Sequence, residues 1–175
     1  MPTIGVAVAI PEPWATQLQD YRTSVGDTTA AMIPTHITLV PPTEVEDVHL
    51  TEVEKHLEEA AGEHAEFCVH LRGTGTFRPV SPVVFVTLIE GISQCEQLAK
   101  SLRTGPLEVE LAYPYHPHVT VAHHLADEQL DRAFTDLADF DCVFDVERFH
   151  LYVHDAATGW RPTRDFPLVA AAAKP

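Results

Sequence analysis

Two short segments, 82 residues apart, constrain this chain more than anything else in it: His36-Ile37-Thr38-Leu39 and His118-Val119-Thr120-Val121. Side chains alternate faces along a β-strand. Each segment therefore reads as a strand with an imidazole and a hydroxyl on one face and two aliphatic side chains on the other. The fold must bury both aliphatic faces and leave both polar faces open. Pro34 and Pro117 lead into the two segments, and a break followed by a helical pattern comes after each. The chain thus carries a loose internal repeat. A single His-x-Thr in a β segment is ordinary. With 11 His and 17 Thr in the chain, two aliphatic-flanked copies arise by chance about once in fifty such sequences.

The remaining pattern is mixed. Thr3–Ile10 reads as a strand ended by Pro11. Residues 13–25 read as a helix with Trp14, Leu18 and Tyr21 on one face, closed by Gly26. Pro41 and Pro42 are expected to stop the first motif strand. A helix over 43–62, a strand over 66–71 and a Gly73-Thr74-Gly75-Thr76 turn region follow. Val83–Ile89 is a strong strand and Ser93–Thr104 a helix. Asp127 is expected to cap a helix reaching about Ala138. Cys142–Val153 reads as one long strand, with a last extended piece near Phe166–Val169. Strands and helices alternate too irregularly for a doubly wound sheet, so the expected class is α+β. Residues 1–169 are expected to form one domain, with 170–175 a flexible Ala-rich tail.

Composition narrows the function. Acidic residues outnumber basic ones 26 to 11, a net charge of −15. A long nucleic-acid tract needs a basic footprint, which this chain lacks. A small phosphorylated substrate held by a few local groups remains compatible. Cys68, Cys95 and Cys142 are far apart and odd in number, as expected of reduced thiols in a cytoplasmic protein. No basic residue precedes Pro11, so the apolar start reads as a strand rather than a signal peptide. The densest apolar run, Val83–Ile89, is far shorter than a membrane span.

The paired motifs suit phosphodiester chemistry. An attacking water or hydroxyl must lose a proton and the leaving oxygen must gain one. Imidazole is the side chain best placed to do either near neutral pH. Two histidines on opposite sides of phosphorus divide the roles. Thr38 and Thr120 are positioned to donate to non-bridging oxygens. This chemistry needs neither a metal nor another cofactor.

On these residues the chain resembles the 2H phosphoesterase superfamily, in its bacterial 2′-5′ RNA ligase-like branch. Its hallmark is two His-hydrophobic-Thr-hydrophobic motifs at roughly this separation. Val6–Pro11 resembles the family's opening strand, and Phe77-Arg78-Pro79 with Val83–Thr87 its middle. Tyr115–Thr120 resembles its second motif, and Leu151-Tyr152 with Trp160–Leu168 its last strands. The resemblance implies a bilobal, duplicated α+β fold: two antiparallel-rich sheets around a central cleft, with helices outside. It implies metal-independent action on 2′,3′-cyclic phosphates or 2′-5′ linkages of nucleotides and RNA ends. It also implies His118 as the base and His36 as the acid. Many members carry a cation just after the second motif. Here the residues are Ala122, His123 and His124, and a continued strand would put His124 on the face of His118 and Thr120.

Further candidate substrate contacts are Arg72 and Arg78, which flank the Gly73–Phe77 loop, together with Phe77, Tyr115, His124 and Tyr152. His150 and His154 share a face of the last long strand. Expected partners are a small nucleotide or RNA end, with no membrane and no second subunit. Two rival readings remain: a nucleotide-binding module of the same fold without useful catalysis, and a metal-dependent hydrolase using the histidines of 116–124.

Overall fold

The computed structural model describes residues 1–171. The strands are β1 (Thr3–Ala9), β2 (His36–Glu44), β3 (Phe67–Thr76), β4 (Val83–Glu90), β5 (His118–His123), β6 (Asp141–Val146), β7 (Arg148–Asp155) and β8 (Gly159–Pro167). The helices are α1 (Trp14–Ser24), α2 (Leu50–Ala61), α3 (Ile92–Leu102) and α4 (Asp127–Asp136). They form two four-stranded antiparallel sheets, ordered β2-β1-β7-β8 and β5-β4-β3-β6.

The internal repeat is now explicit. β1-α1-β2-α2 corresponds to β4-α3-β5-α4, and in each copy the motif strand is the edge of its sheet. The chain also exchanges helices between the halves. α2 and α3 pack on the first sheet, whereas α1 and α4 pack on the second. The aliphatic faces drive this. Ile4, Val6, Val8, Ile37 and Leu39 of the first sheet and Val84, Val86, Val119 and Val121 of the second all enter one continuous core. Burying a side chain of this kind contributes about 1.5–3 kcal/mol. The opposite faces are left to the cleft.

Several boundaries differ from the sequence expectation. Pro41 and Pro42 do not stop β2, which runs to Glu44. Consecutive strand N–H groups point to opposite sides, so the unpaired edge of β2 takes one proline, and the register shift between Ile4 and Val6, opposite Val40–Thr43, takes the other. Helix α2 accordingly starts later, after a 3-10 turn at Asp47–His49. Residues Gly73–Thr76 are not a turn but the end of β3, with the register shifted between Leu71 and Thr74. Gly75 has a packing reason: a Cβ there would lie 2.7 Å from the Phe85 ring. The long strand over 142–153 is two strands in different sheets, β6 and β7, parted at Glu147. Cys142, Phe144 and Val146 are buried in one sheet, Phe149 and Leu151 in the other, so the apolar phase shifts from even to odd positions. The N-cap of α4 is Ala126, whose N–H donates to Gln129 Oε1, and Asp127 is the first helical residue. Of the expected tail, residues 172–175 lie outside the described residues. Ala171 N–H donates to Glu66 at 3.4 Å.

Candidate active site

The motif strands β2 and β5 meet edge to edge where the two sheets join. Tyr115, in the extended approach to β5, donates its hydroxyl to the Thr38 carbonyl at 2.7 Å. A residue leading into one motif is therefore bonded to the backbone of the other.

The two imidazoles are held alike. His36 Nδ1 lies 2.6 Å from the carbonyl of Pro34, and His118 Nδ1 lies 2.6 Å from the carbonyl of His116. A carbonyl only accepts, so each Nδ1 carries the hydrogen and each Nε2 presents a lone pair. Neither Nε2 has a protein partner among the described residues, and neither is sealed from solvent. The hydroxyls of Thr38 and Thr120 are equally unengaged, whereas neighbouring Thr35, Thr76 and Thr87 each bond a backbone carbonyl. Two bases and two hydroxyl donors on adjoining strands are thus left without internal partners.

Burial pulls both imidazoles below their ordinary pKa, against the backbone hydrogen bonds that favour the charged forms. For His118 the neighbouring His116, His36 and His123 depress it further. For His36 the extra cause is the Arg22 guanidinium. The two imidazoles are near enough for His36 to depress His118 electrostatically. Aromatic rings fix the His118 ring. Phe77 meets it edge-on at 4.9 Å and Phe85 lies 5.2 Å away.

The other expected contacts divide into those near the cleft and those engaged elsewhere. Phe77 buttresses His118, and Tyr115 braces Thr38. Tyr152 lines a pocket with His36, Thr38 and Trp160. Arg78 pairs with Asp131 at 2.8 Å and Asp127 at 3.7 Å, at the start of α4. Arg72 pairs with Asp141 on β6, at the far edge of the sheet from β5. His124 is not on the face of His118. The ladder carries a bulge, since Thr120 pairs with Phe85 and Ala122 with Val84. The extra residue turns both Val121 and Ala122 into the core, both fully buried. His123 then takes the cleft face, and His124 leaves the strand at φ 55°, its ring stacked on His123.

Sequence reasoning named His123 only after the second motif and among the possible metal ligands of 116–124, and Trp160 only as the start of the last strands, and it did not single out the buried pair of Arg22 and Asp27. Arg22 and Asp27 bond at 2.7 Å and are 3% and 7% exposed. Asp27 also accepts from the Thr29 amide and hydroxyl, at 2.9 and 2.8 Å, on the way to the His36 strand. Arg22 lowers the pKa of His123 as well as that of His36. Among the described residues, no three His, Cys, Asp or Glu side chains gather as a metal site, including those of 116–124. No described helix is long and apolar enough to cross a membrane.

Comparison with known proteins agrees with this layout. The model of the 2′-5′ RNA ligase superfamily matches residues 10–158. The chain belongs to this family. A Bacillus licheniformis protein provisionally named a phosphoesterase is 30% identical over 159 residues, covering 88% of this chain and 94% of its own. Among solved structures, a Thermus thermophilus protein superposes with a TM-score of 0.72 at 23% identity, over 97% of this chain and all of that one. Escherichia coli LigT in complex with ATP gives 0.67 at 25% identity, over 97% and 99%. The family places this chain among the 2H phosphoesterases, with the α+β architecture its sequence implied.

Proposed function

We propose that this family member is a metal-independent phosphodiesterase acting on 2′,3′-cyclic phosphates or on 2′-5′-linked nucleotides or RNA ends. The observation that carries the reading is the matched pair of imidazoles on adjoining strands, each held through Nδ1 with Nε2 left without a partner. His118 Nε2 takes the proton of the attacking water as its oxygen bonds to phosphorus. The bond from phosphorus to the ribose oxygen breaks, and protonated His36 delivers its Nε2 hydrogen to that oxygen. Thr38 and Thr120 donate to the non-bridging oxygens, where charge builds in the transition state. Joining ends would use a 5′-hydroxyl in place of water: it loses its proton to one imidazole as its oxygen bonds to phosphorus, and the ribose oxygen whose bond to phosphorus breaks gains a proton from the other.

Support for a nucleotide comes from the relatives. Phosphoesterase is the name given to the Bacillus protein, and LigT has been crystallised with ATP, 3′-AMP and NADP+. The net charge of −15 favours a small substrate over a long RNA. Three free cysteines fit a protein working in the reducing cytoplasm. The test is turnover of 2′,3′-cyclic nucleotides and 2′-5′ oligonucleotides in chelator by wild type, His36→Ala and His118→Ala. Folded variants that have lost turnover support the mechanism, and full activity in either one overturns it. Nucleotide binding without turnover by the wild type would instead mark a binding module.

A further inference from the structure

The bulge in β5 sets up a row of three side chains. Thr87, Phe85 and Val83 are alternate residues of β4, and they pair with His118, Thr120 and His123 in turn. Paired residues of an antiparallel ladder share a face. His118, Thr120 and His123 therefore stand in one row, each about 7 Å from the next. Val121 and Ala122 absorb the extra residue, and both are fully buried. Without the bulge, residue 123 would point into the core with Val119 and Val121. With it, Thr120 has an imidazole on either side.

His123 is held differently from His118. The His118 ring bonds the His116 carbonyl through Nδ1. The His123 ring nitrogens bond no protein group among the described residues and are not sealed from solvent. Its ring is fixed through its face instead, stacked on His124 at 3.6 Å. The His124 N–H in turn donates to the Pro82 carbonyl at 3.3 Å. A ring held by its face keeps both nitrogens, at its edge, for a ligand.

The elements packed on β5 are α1, α4, β2 and β4. Arg22 of α1 and Asp27 beyond it are paired with each other. Asp127 and Asp131 of α4 are paired with Arg78. β2 brings the His36 imidazole, and β4 places uncharged Val83 opposite His123. Burial, His124 and Arg22 hold the His123 imidazole below its ordinary pKa, against Asp27. The ring is thus neutral at neutral pH. An anion beside an imidazole favours its charged form.

We infer that His123 is a substrate-binding residue: a phosphate held by Thr120 lies between His118 and His123, and His123 takes up a proton from the solvent as the anion binds and donates a hydrogen bond to it. This rests on the reading of the cleft as a phosphodiesterase site. The proton returns to solvent when the anion leaves, so none is consumed. Anion binding in this cleft therefore weakens as pH rises.

The experiment is NMR titration of the histidine ring resonances with sulfate, a dianion that does not titrate in this range, for wild type, His123→Gln and His123→Arg. The His123 resonance is assigned by its disappearance in the Gln variant. Sulfate is expected to raise the His123 pKa by about one unit. His123→Gln is expected to bind sulfate about 3–10-fold more weakly than wild type near pH 5.5 and equally near pH 8. His123→Arg, whose charge is permanent, is expected to bind about tenfold more tightly than wild type near pH 8. An unmoved His123 pKa, a Gln variant with wild-type affinity at acid pH, or an Arg variant without gain at alkaline pH each overturns the inference. If the substitutions at 123 prevent folding, His124→Asn carries the test, since Asn tolerates the positive φ of 55°. Removing the stacked ring should move the midpoint of sulfate binding to higher pH, and an unmoved midpoint is the contrary result. These titrations involve no turnover. A wild type that turns over cyclic phosphates while His123 ignores sulfate would remove His123 alone, whereas loss of the phosphodiesterase reading would show in the His36→Ala and His118→Ala assays.

Discussion

The hydroxyl of Tyr115 sits 2.7 Å from the carbonyl oxygen of Thr38, binding the approach to one motif strand to the backbone of the other. The phenol is largely buried, and that burial raises its pKa well above the ordinary value. The Arg103 guanidinium lies 5.4 Å over its ring. The bond therefore helps set how far apart the two imidazoles stand. Tyr115→Phe should lose about 1 kcal/mol of stability by denaturant titration. It should also lower kcat more than it raises KM, because positioning of the pair is what is lost.

Acid/base catalysis by each imidazole is worth about 10²–10⁴ in rate. His36→Ala and His118→Ala should each fall by that much in kcat with thermal unfolding close to wild type. The double variant should lose little more than the worse single one, since the two act as a unit. A double loss equal to the product of the singles, measured by steady-state kinetics, would contradict this.

The pH profile follows from the shifted pKa values. Both imidazoles titrate below the usual 6.5. Turnover needs one neutral and one protonated, and the protonated form disappears as pH rises through its lowered pKa. The bell of kcat/KM should therefore peak on the acid side of pH 6.5. A bound phosphodiester anion stabilises imidazolium, so the kcat bell should sit at higher pH than that of kcat/KM.

Asp27 neutralises a buried guanidinium. Burial alone would raise its pKa, but the Thr29 hydrogen bonds and Arg22 bring it below the usual 3.8. Its stabilising effect is full above that value and is lost as pH falls through the lowered one. Asp27→Asn leaves Arg22 buried and unpaired, at a cost of about 3–5 kcal/mol. Chemical denaturation at neutral pH should show the loss, and below the folded-state pKa the gap to wild type should close.

Gly75 tests the ring support of His118. A methyl group there meets Phe85 at 2.7 Å, and Phe85 lies 5.2 Å from His118. Gly75→Ala should cost about 1–3 kcal/mol through overpacking and reduce kcat. A variant with reduced stability and wild-type kcat would show that Phe85 does not hold the imidazole in place.

The sequence by itself determined the motif strands, since a period of two with apolar flanks allows little else, and with them the pairing of each His with its Thr. It also contained the core faces of β1, β4 and α3, and, unread, the phase change at Glu147 that sends β6 and β7 to different sheets. What only the tertiary structure decided depends on contacts between distant segments. Pro41 and Pro42 are tolerated because β2 has an unpaired side and a register shift against β1 at this point, which no local pattern reveals. The β5 bulge is set by pairing with β4, and it exchanges His123 for His124 on the cleft face. Arg78 finds Asp131 across more than fifty residues, and Trp160 reaches Gly5 across the sheet. Alternation along one strand is a local property of the backbone. Which cations are already paired, which histidine follows a bulge and which ring reaches a distant strand are properties of strand register and packing.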